Sequence, residues 1–144
     1  MTYSSSLLIP NVPGPLSGRV VDHGEIVPGI VFHMDPDALE AEGATYTCPE
    51  TRRVRGNHFF LCVGVVGELS RWLPLYSKDG LSRTRLSHLG RSGHPKWITS
   101  ECCFHTEQVW SATYKAVAAA ALAGHDLSDR KRRNRIGIDF VPPV

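Results

Sequence analysis

The candidate catalytic residues are Arg55, His58 and Ser77, which flank a hydrophobic hairpin. Cleavage through the 2′-hydroxyl of RNA needs one group that takes the hydroxyl proton and a cation that stabilises charge on the phosphorane. His58 can take the proton and Arg55 can supply the positive charge. Ser77 or Tyr76 can position the phosphate. The alternative is that His58 and Arg55 only polarise the start of a strand and that Tyr76 packs over the edge of a barrel.

Two sets of basic residues are suited to a polyanion. The more concentrated set places five cations within residues 130–135, and such a run attracts phosphates with marked salt dependence and without reading sequence. The alternative for this set is a solvated surface that aids solubility. The second set is more spread out and lies in the loop after the hairpin. The predicted nucleic-acid-binding residues are Tyr76, Arg83, Arg85, Arg91, Arg130, Lys131, Arg132, Arg133 and Arg135.

The cysteines and histidines lack the spacing that is typical of a metal site. The only local cluster is Cys102-Cys103-Phe104-His105, which has no Cys-x-x-Cys knuckle. Two adjacent cysteines cannot easily both reach one ion. We therefore predict no metal and no cofactor, and we expect reduced thiols that are buried or half-buried.

The charge is distributed unevenly along the chain. Residues 1–50 hold one arginine against seven acidic residues, a net charge of −6. Residues 51–144 hold fifteen lysines and arginines against seven acidic residues, a net charge of +8. A basic face suits nucleic acid, and an acidic stretch can shield it or bind a basic partner.

Length and composition favour one compact domain. The chain has 144 residues and 42% hydrophobic content, enough for one ordinary core. Residues 1–18 are rich in Ser, Gly and Pro, which predicts an extended arm before a domain at residues 19–144. The first residues do not resemble a secretory signal, and no apolar run could span a bilayer. We therefore expect a soluble, cytoplasmic protein that does not enter a membrane.

The pattern of elements predicts a small, mainly β structure of the α+β class. Residues 58–66 form a nearly continuous apolar run, typical of a strand covered on both faces, and residues 69–77 return after a turn at Gly67-Glu68. Residues 30–32 predict an earlier strand, and Asp35 with Pro36 predicts the start of a short helix. Residues 96–105 predict another strand.

A single longer helix is predicted near the C-terminus. Trp110, Tyr114 and Val117 recur at helical spacing, and Ala118 and Ala121 continue the same stripe. Thr106 is the predicted N-cap and Gly124 the predicted end. Several short strands, one amphipathic helix and a strand-like tail together favour a small barrel.

The order of these segments resembles that of MazF/PemK-like toxins across roughly residues 25–115. The segments that carry the resemblance are "PGIVFHMD", "NHFFLCVGVVGELSRWLPLYS" and "HPKWITSECCFHTEQVWS". In that family the second hairpin strand ends in a Pro-x-Thr-Ser type motif, where this chain has Pro74-Leu75-Tyr76-Ser77. The family's arginine precedes the hairpin, and Arg55 is its nearest counterpart, although the usual Arg-Pro step is absent and Tyr76 replaces the threonine.

The resemblance implies an SH3-like barrel and a metal-independent endoribonuclease that acts on single-stranded RNA. It also implies a homodimer and an antitoxin partner that covers the RNA site. Two other classes of function stay open. One is a non-catalytic nucleic-acid-binding or regulatory module, which needs only the basic surface. The other is a phage or mobile-element protein that blocks a host protein through the acidic residues 35–50 or the arm at residues 1–18.

Overall fold

The computed structural model describes residues 20–144, so the predicted N-terminal arm at residues 1–18 lies outside the described residues. Nine strands and three α-helices follow one another along the described chain, with single 3₁₀ turns between them. The strands are β1 (Ile30–Met34), β2 (Thr45–Tyr46), β3 (His58–Val66), β4 (Leu69–Pro74), β5 (Thr84–Arg85), β6 (Arg91–Ser92), β7 (Cys103–Phe104), β8 (Trp110–Thr113) and β9 (Asn134–Ile136). The helices are α1 (Pro36–Ala41), α2 (Pro95–Thr99) and α3 (Tyr114–Ala123), and the 3₁₀ turns are His23–Glu25, Glu50–Arg52 and Ile138–Phe140.

Seven of the strands form one antiparallel sheet in the order β2-β8-β4-β3-β1-β9-β6. Strands β5 and β7 form a separate two-stranded sheet. The predicted α+β class with mainly β content is confirmed. Within residues 20–144 no pairing joins the edge strands β2 and β6, so the predicted closed SH3-like barrel is not confirmed.

The large sheet is covered on both faces. On β1 and β3, Phe32 and Phe60 point into one apolar cluster together with α1 and α3, while Val31 and Leu61 point into a second cluster together with α2. Because side chains alternate along a strand, covering both faces requires apolar residues at successive positions. This coverage explains the apolar run at residues 58–66, as the sequence predicted.

The predicted hairpin is present as β3 and β4. Its register runs from Phe60 opposite Pro74 to Val66 opposite Leu69, with an irregularity between Cys62 and Gly64. Pro74 is the last residue of β4, where its missing N–H does not interrupt the ladder. The sheet continues on both sides of the hairpin, which makes β3 and β4 central strands.

The C-terminal helix is shorter than the sequence predicts. Trp110 and its neighbours form β8, which pairs with β4 so that Trp110 lies opposite Trp72. The helix α3 begins only after Thr113, whose side chain accepts a hydrogen bond from the N–H of Ala116. Its end at Gly124 is as predicted. The predicted N-cap at Thr106 is wrong because Trp110–Thr113, which follow it, pair as a strand, and the helix starts only after them.

The strand predicted at residues 96–105 is also mostly wrong. Residues Pro95–Thr99 form α2, whose first turn is capped by the His94 side chain accepting from the N–H of Lys96 at 3.0 Å. Only Cys103–Phe104 are extended. Proline at the first helical position and a capping side chain before it together favour the short helix.

None of the helices within residues 20–144 has both the length and the apolar character needed to cross a bilayer.

Candidate functional site

Three of the sequence-predicted site residues line one surface cavity. His58, Tyr76 and Ser77 lie together around a space of about 220 Å³ at the end of the hairpin. Arg55 is close in sequence but its guanidinium is turned to Glu50, 3.0 Å from the carboxylate. The structure thus brings together three of the four residues and directs the arginine side chain toward an acidic neighbour.

Both ring nitrogens of His58 face backbone carbonyl oxygens. Nδ1 lies 2.9 Å from the oxygen of Leu75, and Nε2 lies 3.1 Å from the oxygen of Arg55. A carbonyl oxygen only accepts hydrogen bonds, so each contact calls for a proton on the ring nitrogen. In this arrangement neither nitrogen presents a lone pair to a substrate.

Tyr76 belongs to a network that fixes its ring and its hydroxyl. The Arg83 guanidinium carbon lies 4.2 Å from the ring centroid, and the His105 ring packs edge-on at 5.5 Å. The hydroxyl accepts a hydrogen bond from the Gln108 amide at 2.8 Å. Burial raises the pKa of the Tyr76 hydroxyl, which favours the protonated form.

Arg85 lies on the small sheet and is largely neutralised. Its guanidinium forms ion pairs with Glu101 at 2.8 Å and with Asp79 at 3.4 Å. The predicted basic set in the loop after the hairpin is therefore divided, because Arg83 stacks on Tyr76 while Arg85 is paired with two carboxylates. Neither side chain lies in the same groove as the basic run at residues 130–135.

The basic run lines an open groove of about 620 Å³, which we call the basic groove. Among residues 20–144 its wall includes no acidic residue, and it is formed around β9, β6 and the end of α2. Six of its lining residues are cationic, namely Arg91, Arg130, Lys131, Arg132, Arg133 and Arg135.

Arg91 is held by the protein itself. Its guanidinium donates to the carbonyl oxygens of Ser100 at 2.7 Å, Trp97 at 2.9 Å and Leu86 at 3.2 Å. The guanidinium carbon lies 4.4 Å from the Trp97 ring centroid. Arg91 thus orders the chain on both sides of α2, and its charge contributes to the groove from a fixed position.

Arg133 is a buried structural cation. Its Nε atom lies 2.6 Å from a carboxylate oxygen of Glu25, and its guanidinium also donates to the carbonyl oxygens of Ser128 and Val20 at 3.0 and 3.1 Å. The guanidinium carbon lies 5.4 Å from the Phe32 ring centroid. This side chain holds the N-terminal part of the described chain against β9.

The other four cations of the basic groove are exposed. Arg130 forms an ion pair with Asp22 at 3.2 Å, and Arg132 donates from Nε to a backbone carbonyl. The charged ends of Lys131 and Arg135 have no carboxylate partner within residues 20–144. These two side chains carry the charge that is most available to an anionic ligand.

A larger cavity of about 520 Å³, which we call the histidine groove, shares residues with the cavity at His58. It lies between the end of β1, α2 and the residues that follow α3. The sequence analysis did not single it out, because its polar residues come from five separate segments of the chain. Its polar lining includes His33, Asn57, His94, Lys96, His125 and Asn134.

His33 is the most defined side chain of the histidine groove. Its Nδ1 atom lies 2.6 Å from the carbonyl oxygen of Gly124, and its ring packs edge-on against Phe59 at 5.2 Å. Its backbone N–H donates to a carboxylate oxygen of Asp126 at 2.5 Å. Because side chains alternate along β1, His33 lies on the same face as Val31. Its contact with Gly124 joins residues that are far apart in sequence, so the strand pattern alone does not predict it.

All four cysteines carry free thiols, with Cys48 half-buried and the other three buried. Burial raises the pKa of the Cys62 thiol to about 11, which keeps the sulfur protonated at neutral pH. Within residues 20–144 no three histidine, cysteine, aspartate or glutamate side chains are grouped so that they could hold a metal ion.

No protein-family model, no curated protein and no solved structure matches this chain. The resemblance to MazF/PemK-like toxins therefore stays a prediction that depends on the quoted segments.

Proposed function

We propose that the protein binds nucleic acid by holding its phosphate backbone in the basic groove. The observation that carries this proposal is a groove of about 620 Å³ that, within residues 20–144, is lined by six cations and by no carboxylate. Phosphates attract lysine and arginine side chains strongly, and contacts of this kind fix the position of a nucleic acid without reading its sequence.

The cations of the basic groove have different roles. Lys131 and Arg135 supply charge that no described carboxylate neutralises, so they contact phosphates directly. Arg91 is held in place by carbonyl oxygens and raises the local positive potential, whereas Arg133 is neutralised by Glu25 and shapes the wall. A ligand that binds in this way loses affinity as salt concentration rises.

Binding of a fluorescent single-stranded RNA, followed by anisotropy, tests this proposal. We expect the double variant Lys131→Ala/Arg135→Ala to weaken binding about tenfold or more at low salt. The matched control is Arg85→Ala/Lys115→Ala, which removes the same net charge from two exposed side chains that are paired with carboxylates. We expect this control to bind as the parent protein does.

Two results would contradict the proposal. Equal loss of affinity in both double variants would show that only net charge matters. Absence of binding to RNA and to double-stranded DNA by the parent protein would favour the class of protein that blocks a host protein.

A second candidate is a metal-independent endoribonuclease of the toxin type, with an SH3-like barrel, a homodimeric assembly and an antitoxin partner. It is supported by the position of His58, Tyr76 and Ser77 around one cavity. Incubation of single-stranded RNA with the protein in EDTA tests it on a denaturing gel. Cuts that disappear in the Arg55→Ala variant would favour the roles predicted from the sequence.

A further inference from the structure

We propose that the histidine groove is a binding site for a small phosphorylated ligand with a flat apolar body, namely a nucleoside monophosphate. This inference goes beyond the proposed function and does not depend on it, because no residue lines both grooves. The volume of about 520 Å³ lies in the range of small-molecule sites. Within residues 20–144 the lining offers several hydrogen-bond donors and no carboxylate, which favours an anionic ligand.

The side-chain amide of Asn134 offers a donor to this groove. Its Oδ1 atom accepts from the backbone N–H of His94 at 2.8 Å, which fixes the orientation of the amide. Asn134 is only 3% exposed, and its Nδ2 atom has no hydrogen-bond partner among the described residues. This nitrogen is nevertheless not closed off from solvent, so it opens onto the groove that Asn134 lines. Because buried polar groups almost always have a partner, an acceptor on a ligand is the partner that this group calls for.

His94 and Lys96 add two more donors to the same wall. Nδ1 of His94 accepts from the backbone N–H of Lys96 at 3.0 Å, so the proton of the neutral ring is on Nε2, for which residues 20–144 supply no partner. The Lys96 side chain is exposed and has no carboxylate partner in the described part of the chain. The two hydrogen bonds of His94 join these residues and Asn134 into one group, which we call the donor cluster. Two N–H donors and an ammonium group suit the oxygens of a phosphate.

His33 adds an acceptor to the groove. Its Nδ1 atom lies 2.6 Å from the carbonyl oxygen of Gly124, which can only accept, so the lone pair of the neutral ring is on Nε2. Within residues 20–144 this Nε2 atom has no partner. The nearby Asp126 carboxylate accepts from the backbone N–H of His33 and from the N–H and hydroxyl of Ser128, and it does not line the groove. The groove therefore accepts from an amino or hydroxyl group of a ligand and donates to its anionic part.

Phe59 and Leu127 form the apolar part of the wall. The half-buried Phe59 ring is held by the rings of His33 and Trp97, at centroid distances of 5.2 and 5.6 Å. Leu127 is 51% exposed, so it offers apolar surface that a ligand can cover. Aromatic side chains of this kind stack on nucleobases. Inorganic phosphate has nothing to cover this surface, whereas a nucleoside monophosphate has a ring beside its phosphate.

Isothermal titration calorimetry with adenosine 5′-monophosphate tests the class of ligand. We expect it to bind about tenfold or more tightly than inorganic phosphate, which lacks the ring, and than adenosine, which lacks the phosphate. A nucleotide that binds no more tightly than inorganic phosphate or than adenosine overturns the assigned class. Absence of nucleotide binding at about 1 mM overturns the site.

Asn134→Asp is the variant that addresses the free donor. It keeps an oxygen that accepts from the N–H of His94, and it replaces the amide nitrogen by an oxygen that repels a phosphate. We expect the affinity for the nucleotide to fall about tenfold or more. Because Asn134 is buried, thermal unfolding checks the fold, and Lys96→Ala gives a second variant at an exposed side chain, with an expected loss of about fivefold or more. Unchanged affinity in Lys96→Ala and in folded Asn134→Asp overturns the inference.

Lys78→Ala is the matched control for Lys96→Ala. Lys78 is also an exposed lysine without a carboxylate partner within residues 20–144, and it lines neither groove. We expect this variant to bind the nucleotide as the parent protein does. An equal loss in the two lysine variants would show that only net charge matters, and it would overturn the role of the donor cluster.

The failure of this inference and that of the proposed function are distinguishable. Lys131→Ala/Arg135→Ala should bind the nucleotide as the parent protein does, and loss of nucleotide binding there overturns this inference in favour of the basic groove. Displacement of the nucleotide by a single-stranded RNA with a 5′-hydroxyl end would assign the histidine groove to the path of a bound strand and overturns it as a separate site. Nucleotide binding without RNA binding overturns the proposed function and supports this inference.

Discussion

The side chain of Arg133 is fully buried, and Glu25 neutralises it. Burial alone would raise the pKa of Glu25, but the hydrogen bonds from Arg133 and from the N–H of Asp22 lower it below its ordinary value of 4.5. A carboxylate whose pKa is lowered by folding contributes stability above its unfolded pKa, and this stability is lost as pH falls through the folded pKa.

We therefore expect Glu25→Gln to lower the free energy of unfolding at pH 7 by about 2 kcal/mol, since a hydrogen bond to a charged group is weakened. The difference from the parent protein should shrink as the pH falls below about 4.5. Urea unfolding across pH 3 to 7 measures both effects. Glu68→Gln, at an exposed carboxylate in the β3–β4 turn, is the control, and an equal effect there would contradict the assignment.

The thiols give a second prediction at the scale of single residues. Cys62 is buried and its pKa is raised to about 11, whereas Cys48 is half-buried. A thiol reagent at pH 8 should therefore modify Cys48 first in the native protein and Cys62 only after unfolding. Mass spectrometry of the labelled peptides checks the order. Rapid labelling of Cys62 before Cys48 would be inconsistent with the described core.

At the scale of elements, the end of α3 is fitted against β1. A Cβ atom on Gly124 would lie 2.5 Å from the carbonyl oxygen of His33 and 2.6 Å from the Cα atom of Met34. Because both neighbours are backbone, the crowding cannot be relieved by a side-chain rotation. The same junction holds the Gly124 carbonyl that orients the His33 ring.

Gly124→Ala should therefore destabilise the protein by about 1–3 kcal/mol, in the range of overpacked sites. Gly24→Ala is the matched control, because a Cβ atom there meets no atom of the described residues within 4 Å. Chemical denaturation gives both values. Equal stability of the two variants would show that α3 does not approach β1 as closely as described.

The start of α3 gives a prediction that separates the sequence interpretation from the structure. The Thr113 side chain accepts from the N–H of Ala116, so Thr113→Ala should cost about 1 kcal/mol. Thr106→Ala removes the N-cap that the sequence predicts, and it should change stability by less than about 0.5 kcal/mol because Thr106 is an exposed turn residue. A larger loss of stability in Thr106→Ala than in Thr113→Ala, measured by urea unfolding, would instead favour the longer helix that the sequence predicts.

Local patterns predicted the elements that depend on local chemistry. The cap at Asp35 with Pro36 and the apolar run of the hairpin were sufficient for α1, β3 and β4. Trp110 also fits a helical stripe, but it lies in β8 because it pairs across from Trp72, a partner that the local pattern does not contain. Long-range pairing of this kind overrides periodicity.

At the scale of the whole molecule, the acidic and basic halves of the chain pair with each other. Asp22 contacts Arg130, Glu25 contacts Arg133, and Glu42 contacts Lys115. The charge asymmetry of the sequence is thus partly neutralised inside the fold. The cations that stay unneutralised in the basic groove are the ones to which we assign phosphate binding.

The sequence predicted only the part of the candidate site whose residues are adjacent along the chain. The basic run at residues 130–135 is contiguous, so composition alone locates it. The histidine groove is assembled from His33, His94 and His125, which lie on separate segments, and only the tertiary contacts of the rings define their donor and acceptor roles.

The most direct test of nucleic-acid binding in the basic groove is the salt dependence of RNA affinity. For a single strand, the slope of log K against log salt changes by roughly 0.7 for each phosphate contact. Loss of both contacts in Lys131→Ala/Arg135→Ala should therefore reduce the slope by about 1.4, while Arg85→Ala/Lys115→Ala leaves it unchanged. A slope that is the same in the parent protein and in the groove variant would contradict the assignment.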